Sequence, residues 1–259
     1  MFIEINIKKI ILNESLIKYI CFLSYNLLTK KVAISQSNYI PWKGYFDSIA
    51  QVDEFILYDD MQYTKRDWRN RNKIKTPQGL KWMSIPVEVK GKFFQKINET
   101  KVSEFNWPEK HLTLLKQNYS KAPSYKKVIP IVEKLYLTAS SFKTISEINY
   151  HFISEICKFL NIKTKLSFSS NYNLLEEGKT ERLVDLCKQL NANIYYTGSA
   201  AKNYMNTLLF EKEGIEVRYY DYTGYTEYNQ LYGEFEHGIC ILDLIFNEGL
   251  NSSNFLKYI

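Results

Sequence analysis

The chain has 259 residues, 45% hydrophobic and 15% aromatic, and a net charge of +6. That length allows one large domain or two small ones, and that apolar content is ample for a buried core, which excludes a disordered chain. Four cysteines (Cys21, Cys157, Cys187, Cys240) lie far apart with no CxxC pair, which argues against a disulfide framework or a zinc site and for reduced thiols in the cytoplasm.

Taken in order, the chain opens with an apolar run, LIKYICFLSYNLL, from Leu16 to Leu28. It is shorter than the roughly 18 residues of a membrane span, contains Lys18, and is followed by no small-residue cleavage site. Residues 1–30 therefore read as an N-terminal extension, either a helix packed on the domain or the product of a start placed too far upstream, with an interfacial anchor as a third choice. No membrane span is expected.

Residues 32–86 form the stretch around which the rest of the chain is organised. Val32 to Gln36 reads as a strand, a turn holds Pro41 and Gly44, Tyr45 to Gln51 is a short helix, and Glu54 to Tyr58 is a second strand. A βαβ unit of this kind needs a parallel sheet and a right-handed crossover, and such sheets bind ligands at the carboxyl ends of their strands. The first strand delivers Gln36, Ser37, Asn38 and Tyr39 to that edge, with Trp42 in the turn. The second delivers Asp59, Asp60 and Gln62 into a loop that continues through Lys65, Arg66, Arg69, Asn70, Arg71 and Asn72. From Lys65 to Lys101 there are eleven Lys/Arg and three acidic residues, a local +8 (11 − 3), and the rest of the chain is slightly acidic. So lopsided a block attracts phosphate or pyrophosphate, and the arginines beside Trp68 and the asparagines suit forked hydrogen bonds to such an anion.

Beyond a polar strand-like piece, KINETKV, three helices are expected, making a helical insertion over about 106–162. Asn106 is placed to cap the first, whose opening turn holds Pro108 and Glu109; the others run from Ser124 to Leu137 and from Ile145 to Leu160. His111 and His151 read as packing residues. Strand and helix then alternate again: Leu166 to Ser169, an amphipathic helix in TERLVDLCKQLNA, Ile194 to Thr197, and Glu216 to Tyr220. Ser169, Ser170, Gly198, Ser199 and Lys202 follow strands and are expected on the same edge as Gln36 and Asp59. In TGSAAKNY, small residues opening a helix leave N–H groups that suit an anion, with Lys202 to neutralise it. The segment from Tyr219 to Phe235 holds seven aromatic residues. The last helix, ICILDLIFNEG, carries Asp243 on an apolar face, where pairing inside the protein is expected.

Several of these stretches, in order, resemble the WbqC-like family, which is found in bacterial gene clusters that build surface polysaccharides and flagellar glycans. They are SQSNYIPWKGYFD, YDDMQYTKR, RNRNKIKTPQGLKW with SIPV, KINE near Lys96, YYTGSAAKNYM, YNQLYGEF and ILDLIFNEG, so the resemblance runs from about Lys31 to Gly249. The chain departs from the family pattern at Ser37, where a proline is expected, and at Ser35, where a histidine is frequent. The resemblance implies a role in glycan assembly without fixing the reaction. The turn is also similar to that of the nucleotidyltransferase superfamily, but those enzymes rely on histidines, and His111, His151 and His237 are far from it in sequence and are expected to lie away from it.

The expected fold is α/β, with a mainly parallel sheet of nucleotide-binding, Rossmann-like topology and a helical lobe, over residues 31–259. The leading functional reading is a transferase of surface-glycan (O-antigen, capsule or flagellar glycan) biosynthesis, moving an acyl or aminoacyl group to a nucleotide-linked amino sugar. In it, Lys65, Arg66, Arg69 and Arg71 hold the pyrophosphate, Tyr39 and Trp42 stack on base or sugar, and Asp59 or Asp60 acts as general base. A Mg²⁺ ion held by Asp59 and Asp60 is a variant of it. The alternatives are a non-catalytic module for glycan or nucleic acid and, third, a nucleotidyltransferase. No stable nucleic-acid complex is expected, because the charge outside the basic block is too low.

Overall fold

The structure is a computed structural model and describes residues 29–175 and 177–259. The apolar run at Leu16 to Leu28, with Cys21, lies outside the described residues.

Five strands form one sheet: β1 (Lys31–Ser35), β2 (Glu54–Leu57), β5 (Lys165–Phe168), β6 (Ile194–Thr197) and β7 (Glu216–Tyr219). Their order is β5-β2-β1-β6-β7, and every neighbouring pair is parallel. Register is fixed by pairs such as Ile34 with Ile56 and Val32 with Tyr195. All four residues of β2 and of β6 are buried, the near-continuous apolar reading expected of parallel strands covered on both faces.

Alternation along the strands divides the core in two. On one face Ala33, Phe55 and Leu57 pack with Tyr45, Phe46 and Ile49 of α1 (Lys43–Ala50) and with α2 (Trp107–Tyr119), α3 (Tyr125–Ala139), α4 (Ile145–Phe159) and α7 (Ile241–Glu248). On the other, Val32, Ile34, Ile56 and Tyr195 pack with Leu183, Leu186 and Cys187 of α5 (Lys179–Gln189) and Phe210 of α6 (Thr207–Lys212). The helices α2 to α4 are therefore not a lobe apart. They share one apolar cluster with the sheet, in which Trp107, Tyr136, Ile145 and Phe152 are buried.

Local signals explain most boundaries. Thr144 caps α4 by accepting from Glu147 N–H, and the Glu147 carboxylate accepts from Thr144 N–H in return, a reciprocal box. Asn106 stands at the N-cap of α2 but makes no side-chain cap bond. Two differences from the sequence reading matter for the site. The arginine-rich segment is not all loop: Arg71–Thr76 (β3) and Gly79–Ser84 (β4) form an antiparallel hairpin. The KINETKV piece is a short 3-10 turn, Ile97–Glu99, flanked by single bridges to Gln62, Val87 and Thr144.

Among the described residues no helix is long and apolar enough to cross a membrane. Cys157, Cys187 and Cys240 are free and buried.

Candidate functional site

From β1 the chain steps outward to β2 and β5 on one side, then returns to place β6 and β7 on the other. Where the order reverses, the connections leaving neighbouring strands diverge and open a crevice at their carboxyl ends. A cavity of about 560 Å³ lies there, lined by Ser35 and Gln36 at the end of β1, Tyr58 after β2, Thr197 and Gly198 at the end of β6, and Tyr220 after β7. That is an ordinary size for a small-molecule site, about 300–1,000 Å³.

Its lining is cationic and phenolic. Arg69, Lys179 and Arg182 reach it, as do seven tyrosines, among them Tyr45, Tyr195, Tyr204 and Tyr222. Burial raises the phenols of Tyr45, Tyr58, Tyr195 and Tyr220 above their ordinary value, so they remain neutral hydrogen-bonding walls at physiological pH. Among the described residues, no carboxylate, imidazole or thiol lines the cavity. A lining of this kind suits an anion with an attached planar or apolar group.

Arg69 is aimed by the turn after β1. Its Nη1 donates to Asn38 Oδ1 and, at 3.4 Å, to the Ser37 carbonyl, and Nη2 stands 3.5 Å from Asp67. Its buried Nε has no hydrogen-bond partner among the described residues. Lys179 and Arg182 come from the first turn of α5, where backbone N–H groups already favour negative charge. Arg182 lies against the Tyr58 hydroxyl and, at 3.9 Å, the Met61 sulfur.

The acidic pair divides. Asp59 is 2% exposed. Its Oδ1 accepts from Ser37 N–H at 2.8 Å, and its Oδ2 accepts from Ser37 Oγ at 2.7 Å and from Ser146 Oγ on α4. Asn149 of α4 closes the cluster, donating to Ser37 Oγ and to the Arg69 carbonyl. Burial raises the Asp59 carboxyl above its usual range, and these bonds work against that. Asp59 is thus a post joining three segments, with no face on the crevice; the role of general base does not fit this enclosure. A proline at position 37 would supply neither donor, so the arrangement depends on Ser37. Asp60 is half-buried and held elsewhere, by Ser169 Oγ and by Asn98 Nδ2 at 3.1 Å. The two carboxylates share no partner, and among the described residues no cluster of three or more His, Cys, Asp or Glu is placed to hold a metal. The Mg²⁺ variant has no support in this geometry.

Of the other residues expected here, Gln36 and Gly198 line the crevice with Arg69. Trp42 stands one layer out, packed on Tyr222 and Tyr225 with ring centres 5.3 and 5.7 Å apart. Gly44 permits this, because a Cβ there would lie 2.3 Å from the Trp42 ring. The rest are elsewhere. Tyr39 is fully buried, its hydroxyl bonded to His111 Nδ1 (2.9 Å) and Tyr136 (2.8 Å), so it cannot stack on a ligand. Asn72 donates to the Tyr39 and Ile40 carbonyls, steadying a turn in which Ile40 has a φ of 41°. Arg71 bonds the Arg66 carbonyl and stacks on Trp82 at 4.1 Å. Lys65 and Arg66 are exposed, and Gln62 donates to the Phe93 carbonyl. Ser169 and Ser170 follow β5, an outer strand two places from β1, which takes them away from the reversal point. Ser199 is exposed, and Lys202 lies over the Tyr219 ring.

Sequence reasoning missed Lys179, Arg182 and the tyrosine walls. The signal for the first two was present: basic residues in the opening turn of a helix that follows a strand.

Residues 36–255 match the WbqC-like protein family. An uncharacterised protein of Mycobacterium tuberculosis, Rv1507c, is 49% identical over 229 residues, covering 88% of this chain and 98% of that protein. No solved structure matches. With the match spanning nearly the whole described chain, the protein belongs to the WbqC-like family.

Proposed function

We propose that the crevice binds a nucleotide-activated sugar and that the protein is a transferase of surface-glycan biosynthesis, acting on a nucleotide-linked amino sugar. The observation that carries this reading is the meeting of Arg69, Lys179 and Arg182 with neutral tyrosine walls at the point where the strand order reverses. Three cations from two separate elements suit a pyrophosphate, and phenolic walls suit a base or pyranose ring. The strand order supports a Rossmann-like, nucleotide-binding assignment of the sheet.

In this reading Arg69, Lys179 and Arg182 hold the diphosphate, and Gln36, at the end of β1, hydrogen-bonds the reacting end of the sugar. The nucleophile is the substrate's own amine. Among the described residues no carboxylate lines the crevice, so in this reading the amine's proton leaves to solvent. Surface-glycan synthesis as the setting rests on the family alone.

A second reading is favoured by one observation, the absence of carboxylate, imidazole and thiol from the described lining: the crevice binds its ligand without converting it. A thermal-shift screen of nucleotide sugars, free nucleotides and neutral sugars tests both. A ligand at a hundred times its dissociation constant adds about 2.7 kcal/mol to stability. Stabilisation by nucleotide sugars and not by neutral sugars supports the site. Turnover of the bound compound with an acyl donor then separates transferase from binding module, and stabilisation by none of the anions removes both readings.

A further inference from the structure

The loop from Val89 to Lys96 presents Phe93 and Phe94 at 71% and 83% exposure, the largest apolar exposures in the basic block. Solvent-exposed phenylalanines in adjacent positions cost solvation that a folded chain seldom bears without a partner. The loop is not frayed. Gln95 Nε2 donates to the Glu88 carbonyl at 2.8 Å, Tyr63 N–H to the Gln95 carbonyl at 2.9 Å, Ile97 N–H to the Met61 carbonyl at 2.9 Å, and Gln62 Nε2 to the Phe93 carbonyl at 2.7 Å. Gly91, at a φ of 72°, turns the tip. The two rings meet edge to face, 5.0 Å apart at 87°, so they form a wedge and not the flat platform on which a sugar or base stacks.

Charge surrounds the wedge. Lys90, Lys92 and Lys96 are exposed within the loop, Lys92 paired with Glu88. From Tyr63 the chain runs through exposed Lys65 and Arg66 to Trp68, which packs on Trp82 of the hairpin at 5.3 Å, and Arg71 and Lys73 lie over that pair. Apolar rings that enter an acyl layer, lysines whose heads stay with anionic headgroups, and tryptophans at the same boundary are the chemistry of an interfacial contact.

We propose that this loop, with Trp68 and the Trp82 of the hairpin on which it packs, seats the protein on an anionic lipid bilayer. The contact is peripheral and reversible, made by a preformed wedge and not by a span. It stands independently of what the crevice binds.

The test is sedimentation of the full chain with vesicles of phosphatidylcholine containing phosphatidylglycerol, against phosphatidylcholine alone. The wild-type chain should partition onto the anionic vesicles, more weakly as salt rises. Phe93→Ser with Phe94→Ser should lower that partition about tenfold or more, and Lys90→Glu with Lys96→Glu should remove the preference for anionic vesicles. Both pairs are exposed, so melting temperature and crevice ligand binding should not change. Wild-type partition in the phenylalanine variant overturns the proposal. So does failure of the wild-type chain to partition, or loop-dependent binding of a single-stranded oligonucleotide without vesicle binding.

Discussion

Replacing Asp59 separates a structural post from a catalytic base. In Asp59→Ala three buried donors lose their acceptor: Ser37 N–H, Ser37 Oγ and Ser146 Oγ. A buried unsatisfied donor costs about 1–3 kcal/mol, and hydroxyls can turn to other acceptors, so the loss should be about 3–6 kcal/mol. Domains of this kind have about 5–15 kcal/mol in all, and each kcal/mol is worth about 2–4 °C at this length, so the midpoint should fall by about 6–24 °C. Asp59→Asn keeps one oxygen and turns an amide toward a donor, and should cost about 1–3 kcal/mol. Urea and thermal unfolding of both variants supply the numbers. A wild-type midpoint in Asp59→Ala, with ligand conversion abolished, would refute the reasoning and restore the carboxylate as a base.

Arg69→Ala should weaken binding of the crevice ligand by about 1–3 kcal/mol, whereas Arg66→Ala and Arg71→Ala, outside the lining, should change it by no more than about twofold; titration calorimetry reads both. Burial alone would raise the Glu54 carboxyl, but hydrogen bonds from Lys30, Lys165, Tyr172 and Ser167 hold it at about 2 against an ordinary 4.5. The protonated unfolded chain is then favoured as pH falls, so this stability is full above 4.5 and lost toward about 2, and Glu54→Gln should flatten the acid limb of a urea-midpoint profile. His111 is pushed by burial from 6.5 down to about 4; the unfolded chain takes its proton first, so stability should fall as pH drops from 6.5 toward about 4, a slope that His111→Asn removes. Gly44→Ala drives a Cβ to 2.3 Å from the Trp42 ring and should destabilise by about 1–3 kcal/mol, with a shift in tryptophan fluorescence.

Much of the frame was legible in the chain itself. The five expected strands lie within a residue of their observed positions, because buried parallel strands leave short apolar runs ending in polar residues. Strand order was not legible: nothing local in KLSFSSN tells that β5 lies outside β2, and so Ser169 and Ser170 were expected beside Gln36. The hairpin was hidden by its charge, although Thr76-Pro77-Gln78-Gly79 between alternating residues is a turn signal. Direction was the other loss. Asp59 follows its strand as expected, but the chain turns its carboxylate inward to Ser37 and Ser146. Tyr39 meets His111 and Tyr136 only once α2 and α3 are packed. Asp243, expected to be paired internally, is buried and accepts from Tyr119 and Tyr228 at 2.8 Å.

Under the proposed function, the three-cation crevice at the strand reversal holds the diphosphate of a nucleotide-activated sugar. Calorimetric titration of the best-stabilising nucleotide sugar, and of its nucleoside monophosphate, into the wild-type chain and into Arg69→Ala with Lys179→Ala tests it most directly. The wild-type chain should prefer the diphosphate compound, and the double variant should lose that preference while its fold stays intact by circular dichroism. Equal affinity in the wild-type and double-variant chains would contradict it.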